Sequence, residues 1–184
     1  MRMLNRWILG VVFAIGLAVA ASADSGKRFL ITDDCDPHDS DWIAVGGCFQ
    51  ESGEVTRAEF RAANQNGYPG HPSWRIVPPY VAEQSDNEIR VRNTGGRTHT
   101  FTEVVRFGGG YIPGQNAAGA TPAPECAIVD PVSGALRPAP AALSTTLGAG
   151  AEMRIEALGP GTHNFQCCIH PWMRSTVKIT DDGQ

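Results

Sequence analysis

The sequence predicts an all-β domain: a β-sandwich of short strands, with an N-terminal arm containing a short helix and a long loop insertion. Three observations predict it. From residue 75 onwards apolar and polar positions alternate at period two, β-branched residues gather in short runs, and Gly or Pro separates the runs. The chain of 184 residues is 42% hydrophobic and 18% charged, with 21 Gly, 13 Pro and five Cys. That composition excludes a wholly disordered or collagen-like chain and suits a single core.

Taken in chain order, residues 1–23 predict a secretory signal peptide. Arg2 and Arg6 precede an apolar run from Trp7 to Ala21, and Ala21-Ser22-Ala23 supplies the small residues of a cleavage site. The run is shorter than the roughly 20 residues that span a bilayer. Removing it takes Arg2 and Arg6 away, so the formal charge falls from −4 to −6, and the mature chain is expected to be soluble and to favour a basic partner at low salt. A nucleic-acid binder shows the opposite balance, so nucleic acid is excluded as a partner.

Residues 24–72 form the N-terminal arm. Residues 24–54 are rich in Asp, Gly and Ser, offer only short apolar pieces such as Phe29-Leu30-Ile31, and are expected to be irregular. Thr56 and Glu59 have capping-box spacing ahead of good helix formers, which predicts one helix over 56–65, stopped by Gly67 and Pro69. Residues 73–184 form the sandwich domain. Strands are expected at 76–83, 89–92, 98–105, 151–157, 162–167 and 174–180. Residues 107–141, with three consecutive Gly, several Pro and many Ala, read as an insertion loop without regular sheet. A phosphate cradle at Gly108–Gly110 would need a helix directly after it, and none is visible.

The stretch from Gly161 to Met173 carries the chemistry. Cys167, His170 and Met173 offer thiolate, imidazole and thioether donors at three-residue intervals, a soft set suited to copper. His99, in the strand-like run Thr98–Thr102, supplies a second imidazole from upstream. Two His, one Cys and a weak axial Met make a trigonal copper site. His163 is taken as structural, because a fourth strong donor would disturb that geometry, and His38 and His71 carry no partner pattern.

These residues resemble the cupredoxins, the small blue copper proteins, and especially amicyanin, plastocyanin and pseudoazurin. Cys-x-x-His-x-x-Met is the amicyanin-like spacing, and Gly161, Phe165 and Cys167 match the aromatic-alternating strand that leads into the copper loop. The resemblance covers roughly residues 75–106 and 140–182. It implies a cupredoxin-like Greek-key β-sandwich holding one type 1 copper, with His99, Cys167 and His170 as equatorial ligands and Met173 as the axial one. It further implies one-electron transfer rather than enzyme catalysis, by an exported, periplasmic or extracellular monomer. The partners would be redox proteins such as cytochromes or copper/haem enzymes, meeting the chain near the exposed edge of His170 between Pro171 and Trp172. An exported copper carrier or storage protein would use the same ligands.

Three departures from the family pattern are visible, one being that the insertion at 107–141 has no counterpart in the minimal fold. Thr100 stands where an Asn usually ties the two ligand segments together, and Cys168 stands where Thr or Ser usually follows the ligand Cys. The His163/Phe165/Cys167 alternation and the two-residue gap to His170 both choose Cys167 as the ligand. Cys168 then joins Cys35, Cys48 and Cys126 in an even set of four with three possible pairings, of which Cys35–Cys48 with Cys126–Cys168 is the one adopted.

Overall fold

The computed structural model describes residues 27–65, 70–84, 88–156 and 158–180. The expected export signal at 1–23 lies outside the described residues. Among those described, no helix is long and apolar enough to cross a membrane.

Two four-stranded sheets enclose the main core. The first contains β1 (Lys27–Thr32), β2 (Arg75–Val77), β4 (Ile89–Asn93) and β10 (Glu152–Ile155), in the order β10-β4-β1-β2. The second contains β3 (Tyr80–Gln84), β6 (Thr102–Val104), β11 (Gly161–Gln166) and β12 (Arg174–Thr180), in the order β3-β12-β11-β6. Phe29, Ile31, Ile89 and Val91 from one sheet and Phe165, Val177 and Ile179 from the other share one buried cluster, as inward-facing alternate positions of two stacked sheets must. The ring of Phe101 bridges the layers, 5.5 Å from Phe29 and stacked 4.5 Å from Phe165.

The predicted strands at the C-terminal end appear within a residue or two. The 76–83 candidate is split into β2 and β3 around Pro78 and Pro79, which have no amide hydrogen to give a ladder. The 98–105 candidate is split as well: β5 (His99–Thr100) leaves the second sheet and pairs with β9 (Thr146–Leu147), and Phe101 turns its amide to Thr145 O.

The expectation of an irregular segment at 24–54 is corrected. Residues 27–32 are β1, which runs parallel to β4 and antiparallel to β2 inside the first sheet. Its apolar run is too short to announce a strand, and its partners lie some 45 to 60 positions away, where local pattern has no reach. Downstream lie α1 (Ser40–Ile43) and α2 (Arg57–Gln65). The capping box is formed: Glu59 N donates to Thr56 Oγ1 at 3.3 Å, and Thr56 N donates to Glu59 Oε2 at 2.9 Å.

The insertion is also more ordered than its composition suggests. It holds the hairpin of β7 (Ala127–Val129) and β8 (Leu136–Pro138), followed by α3 (Pro140–Ser144). Asp130 makes the turn, its Oδ1 accepting from the amides of Val132 and Ser133. A second small core of Val104, Ala123, Cys126, Ala142 and Cys168 anchors this segment to the sandwich. Long-range packing and a covalent bridge supply what Gly and Pro withhold locally.

Both disulfides of the adopted pairing are present, Cys35–Cys48 and Cys126–Cys168, with Cα separations of 5.9 and 5.0 Å. Cys167 is the free, buried thiol among the described residues.

Candidate metal centre

Three donors converge at one end of the sandwich. Cys167 follows directly on β11, and the loop after it folds back so that Cys167 N donates to Met173 O at 3.0 Å and Met173 N donates to His170 O at 2.9 Å. These two bonds fix a tight loop and bring His170 beside Cys167. His99 arrives from β5, placed by the turn that precedes it. There the fully buried Asn93 donates from Nδ2 to Arg97 O and Leu147 O, and accepts at Oδ1 from Gly95 N.

The distances fit a metal better than a hydrogen-bonded cluster. Cys167 Sγ lies 3.7 Å from His99 Nδ1 and 3.8 Å from His170 Nδ1, and the two nitrogens are 3.2 Å apart. A point in their plane is about 2.1 Å from all three atoms, within the range of thiolate and imidazole bonds to a first-row metal. His99 and Cys167 are completely buried and His170 is 8% exposed. Met173, 1% exposed, closes the same loop within the core. The other group with metal-like spacing, Asp33 with Cys35 and Cys48, has both its sulfurs joined in a disulfide.

Asp33 is the functional residue that sequence reasoning missed. Its Oδ2 accepts from His99 Nε2–H at 2.8 Å, which orients the ring with Nδ1 toward Cys167. The amides of Gly96 and Arg97 also donate to this carboxylate, at 2.9 and 3.0 Å. A side chain at Gly95 would collide with the Asp33 carboxylate, and one at Gly96 with the Cys35–Cys48 sulfurs, so the Gly95-Gly96 pair permits the close approach. Nothing in the polar run Thr32-Asp33-Asp34 marked one of its acids as a partner for a residue 66 positions away.

Electrostatics follow from burial and these contacts. Burial opposes ionisation of Asp33, yet the bond from His99 and the two amides hold its carboxyl below the usual range. Burial likewise opposes charge on His99, but Asp33 and Cys167 push its pKa up to about 9. Burial raises the Cys167 thiol, but hydrogen bonds and charge from His170 and His99 outweigh it and bring the thiol far down. Burial lowers His170. The pocket therefore favours a thiolate, the form that binds metal.

The sulfur is further held by two backbone amides, Thr100 N and His170 N, each 3.4 Å from Cys167 Sγ. Thr100 also ties the ligand segments: its hydroxyl accepts from Cys168 N at 2.8 Å and from Thr102 Oγ1 at 3.0 Å. A Thr hydroxyl thus makes the link at the position where the cupredoxin pattern usually has an Asn.

The exposed edge expected for His170 is narrow: the residue is 8% exposed and borders a surface cleft. Phe60 of α2 meets its ring edge-on at 5.9 Å and Trp172 lies 5.4 Å away, while Phe60 itself packs on Trp42 and Trp74. The N-terminal helix therefore covers much of the imidazole. His163 is apart from the site, bonded to Glu103 Oε1 and Gly159 O. His38 is exposed, and His71 is half-buried with its ring 5.5 Å from Trp74.

The chain is structurally similar to cupredoxins. A purple cupredoxin from Nitrosopumilus maritimus shares 13% identity, with 84% of this chain and 99% of that chain covered and a TM-score of 0.37. The amicyanin of Paracoccus versutus shares 15% over 58% of this chain and 73% of its own, at a TM-score of 0.34. A copper-containing nitrite reductase from Thermus scotoductus SA-01 shares 15% over 58% of this chain and 20% of that chain, also at 0.34. No family model and no curated protein matches the sequence. At such identities and TM-scores, sheet order and donor geometry, rather than these likenesses, define the architecture and its chemistry.

Proposed function

We propose that this chain is an exported type 1 copper protein that passes single electrons between redox partners, such as cytochromes or copper/haem enzymes, and is not itself an enzyme. The observation that carries it is the buried triangle of His99 Nδ1, Cys167 Sγ and His170 Nδ1 around a common point about 2.1 Å from each. Copper held there would supply one-electron chemistry between Cu(I) and Cu(II). Met173 is proposed as the weak axial thioether.

The protein's part is to keep the donors still. Asp33 orients His99, two amides fix the Cys167 sulfur, and the Cys126–Cys168 bridge pins the residue next to it. Phe60 and Trp172 cover part of the His170 ring. Donors that stay in place lower the rearrangement that accompanies each electron. Burial of the ligands also favours electron transfer over copper carriage, since a carrier must open them to an acceptor.

Adding copper(II) to the purified exported chain is expected to give an intense visible thiolate-to-copper band and a matching electron paramagnetic resonance signal. Cys167→Ser abolishes the band, while Met173→Gln keeps copper and lowers the reduction potential. Colour that survives in the Cys167 variant overturns the assignment.

A further inference from the structure

A cleft of about 310 Å³ opens beside His170, between α2, the turn before β5 and the insertion. Its charged lining is Arg57, Arg61 and Arg97, with no acidic side chain among the described lining residues. Arg57 and Arg61 also line an adjoining cleft with Asn64 and Gln115, so the basic surface extends along α2. Arg97 is held in place: it donates to Gly47 O and Val45 O, and its guanidinium lies 5.1 Å over the Trp42 ring. The guanidinium groups of Arg57 and Arg61 have no ion-pair partner among the described residues. Beside them, Val45 and Ile112 line the same cleft with exposed apolar surface.

Three cations gathered at one opening of an acidic chain call for an anion. An apolar rim next to them suits a protein surface better than a free small anion, because transient interfaces combine a modest apolar contact with charged groups around it. We propose that this cleft is where the redox partner docks, and that the partner places carboxylate side chains against Arg57, Arg61 and Arg97. This rests on the electron-transfer function proposed above. The net charge of the chain repels an acidic partner at long range, but it is screened beyond roughly 8 Å at physiological salt. At contact the local arginines dominate, and bidentate guanidinium–carboxylate pairs fix the orientation. The cleft reaches His170, so a partner seated there sits against the one copper ligand that is not fully covered.

Stopped-flow oxidation of the Cu(I)-loaded chain tests this with two probes, hexacyanoferrate(III) and the tris-phenanthroline cobalt(III) cation. In each reaction copper gives one electron and the probe metal accepts it. The wild type is expected to react with the anion more slowly as salt is added, the sign of attraction. Arg57→Glu/Arg61→Glu slows the anion about tenfold or more at low salt and speeds the cation. Arg57→Gln/Arg61→Gln gives an intermediate effect, with the thiolate–copper band unchanged in both variants. An anion rate that rises with salt, as the net charge alone dictates, overturns the proposal, as does a rate insensitive to the arginines.

A second measurement does not depend on redox activity. Hexaglutamate titrated into the zinc-loaded chain and followed by amide NMR is expected to shift Arg57, Arg61 and Thr98. Shifts elsewhere, or none, overturn the cleft even if the copper assignment stands. Free glutamate or inorganic phosphate binding as tightly as the peptide marks a small-anion pocket and overturns the protein partner.

Discussion

Asp33 shows how one residue sets the character of the site. A buried carboxylate bonded to a ligand imidazole orients the ring and raises its basicity toward the metal. Asp33→Asn keeps the shape but can hold only the weaker bond to His99 Nε2, so copper affinity is expected to fall roughly 10–100-fold. Competition against a chelator of known affinity measures this. Affinity equal to wild type means the carboxylate serves packing alone. Thr100 makes the same point about identity and role: its hydroxyl reaches Cys168 N, and the link between the two ligand strands persists with a shorter side chain.

At the scale of elements, the insertion and the ligand loop are joined at Cys168, one residue from the thiolate. The Cys126–Cys168 bridge spans 42 positions, and in the loop-entropy account such a crosslink stabilises by about 4 kcal/mol. Cys126→Ala/Cys168→Ala is therefore expected to lower unfolding stability by up to that amount in urea, while the proposed thiolate–copper band remains because Cys168, bridged to Cys126, lies outside the proposed donor set. Loss of the band would mean the bridge itself shapes the site.

The pair of β6 and β11 carries a pH response. Burial lowers the His163 pKa, but Glu103 and Gly159 O outweigh it and raise the value above the usual 6.5. A raised histidine stabilises the fold fully below its unfolded pKa and loses that contribution as pH rises through the folded value. Stability is thus expected to fall over the window just above pH 6.5. Glu103→Gln should flatten this part of the profile in denaturant titrations at pH 5.5 and 8.5.

Over the whole molecule, two bridges and one reserved thiol suit an oxidising compartment. The oxidised chain, denatured, is expected to present one reactive thiol to a thiol reagent, and after reduction all five. Three or five thiols before reduction would refute this arrangement. A chain made without residues 1–23 in a reducing compartment should lack the bridges and melt at lower temperature.

The sequence by itself determined whatever local rules govern. Alternation from residue 75 marked the C-terminal strands, capping chemistry marked α2, and the three-residue spacing of Cys167, His170 and Met173 marked the ligand loop, because neighbours in sequence are neighbours in space there. Only the tertiary structure decided that Lys27–Thr32 completes the first sheet, that Asp33 holds His99, and that Phe60 and three arginines frame His170. Each of these joins segments tens of residues apart. Such contacts are selected by the burial of the whole chain, and no short stretch of it carries their signal.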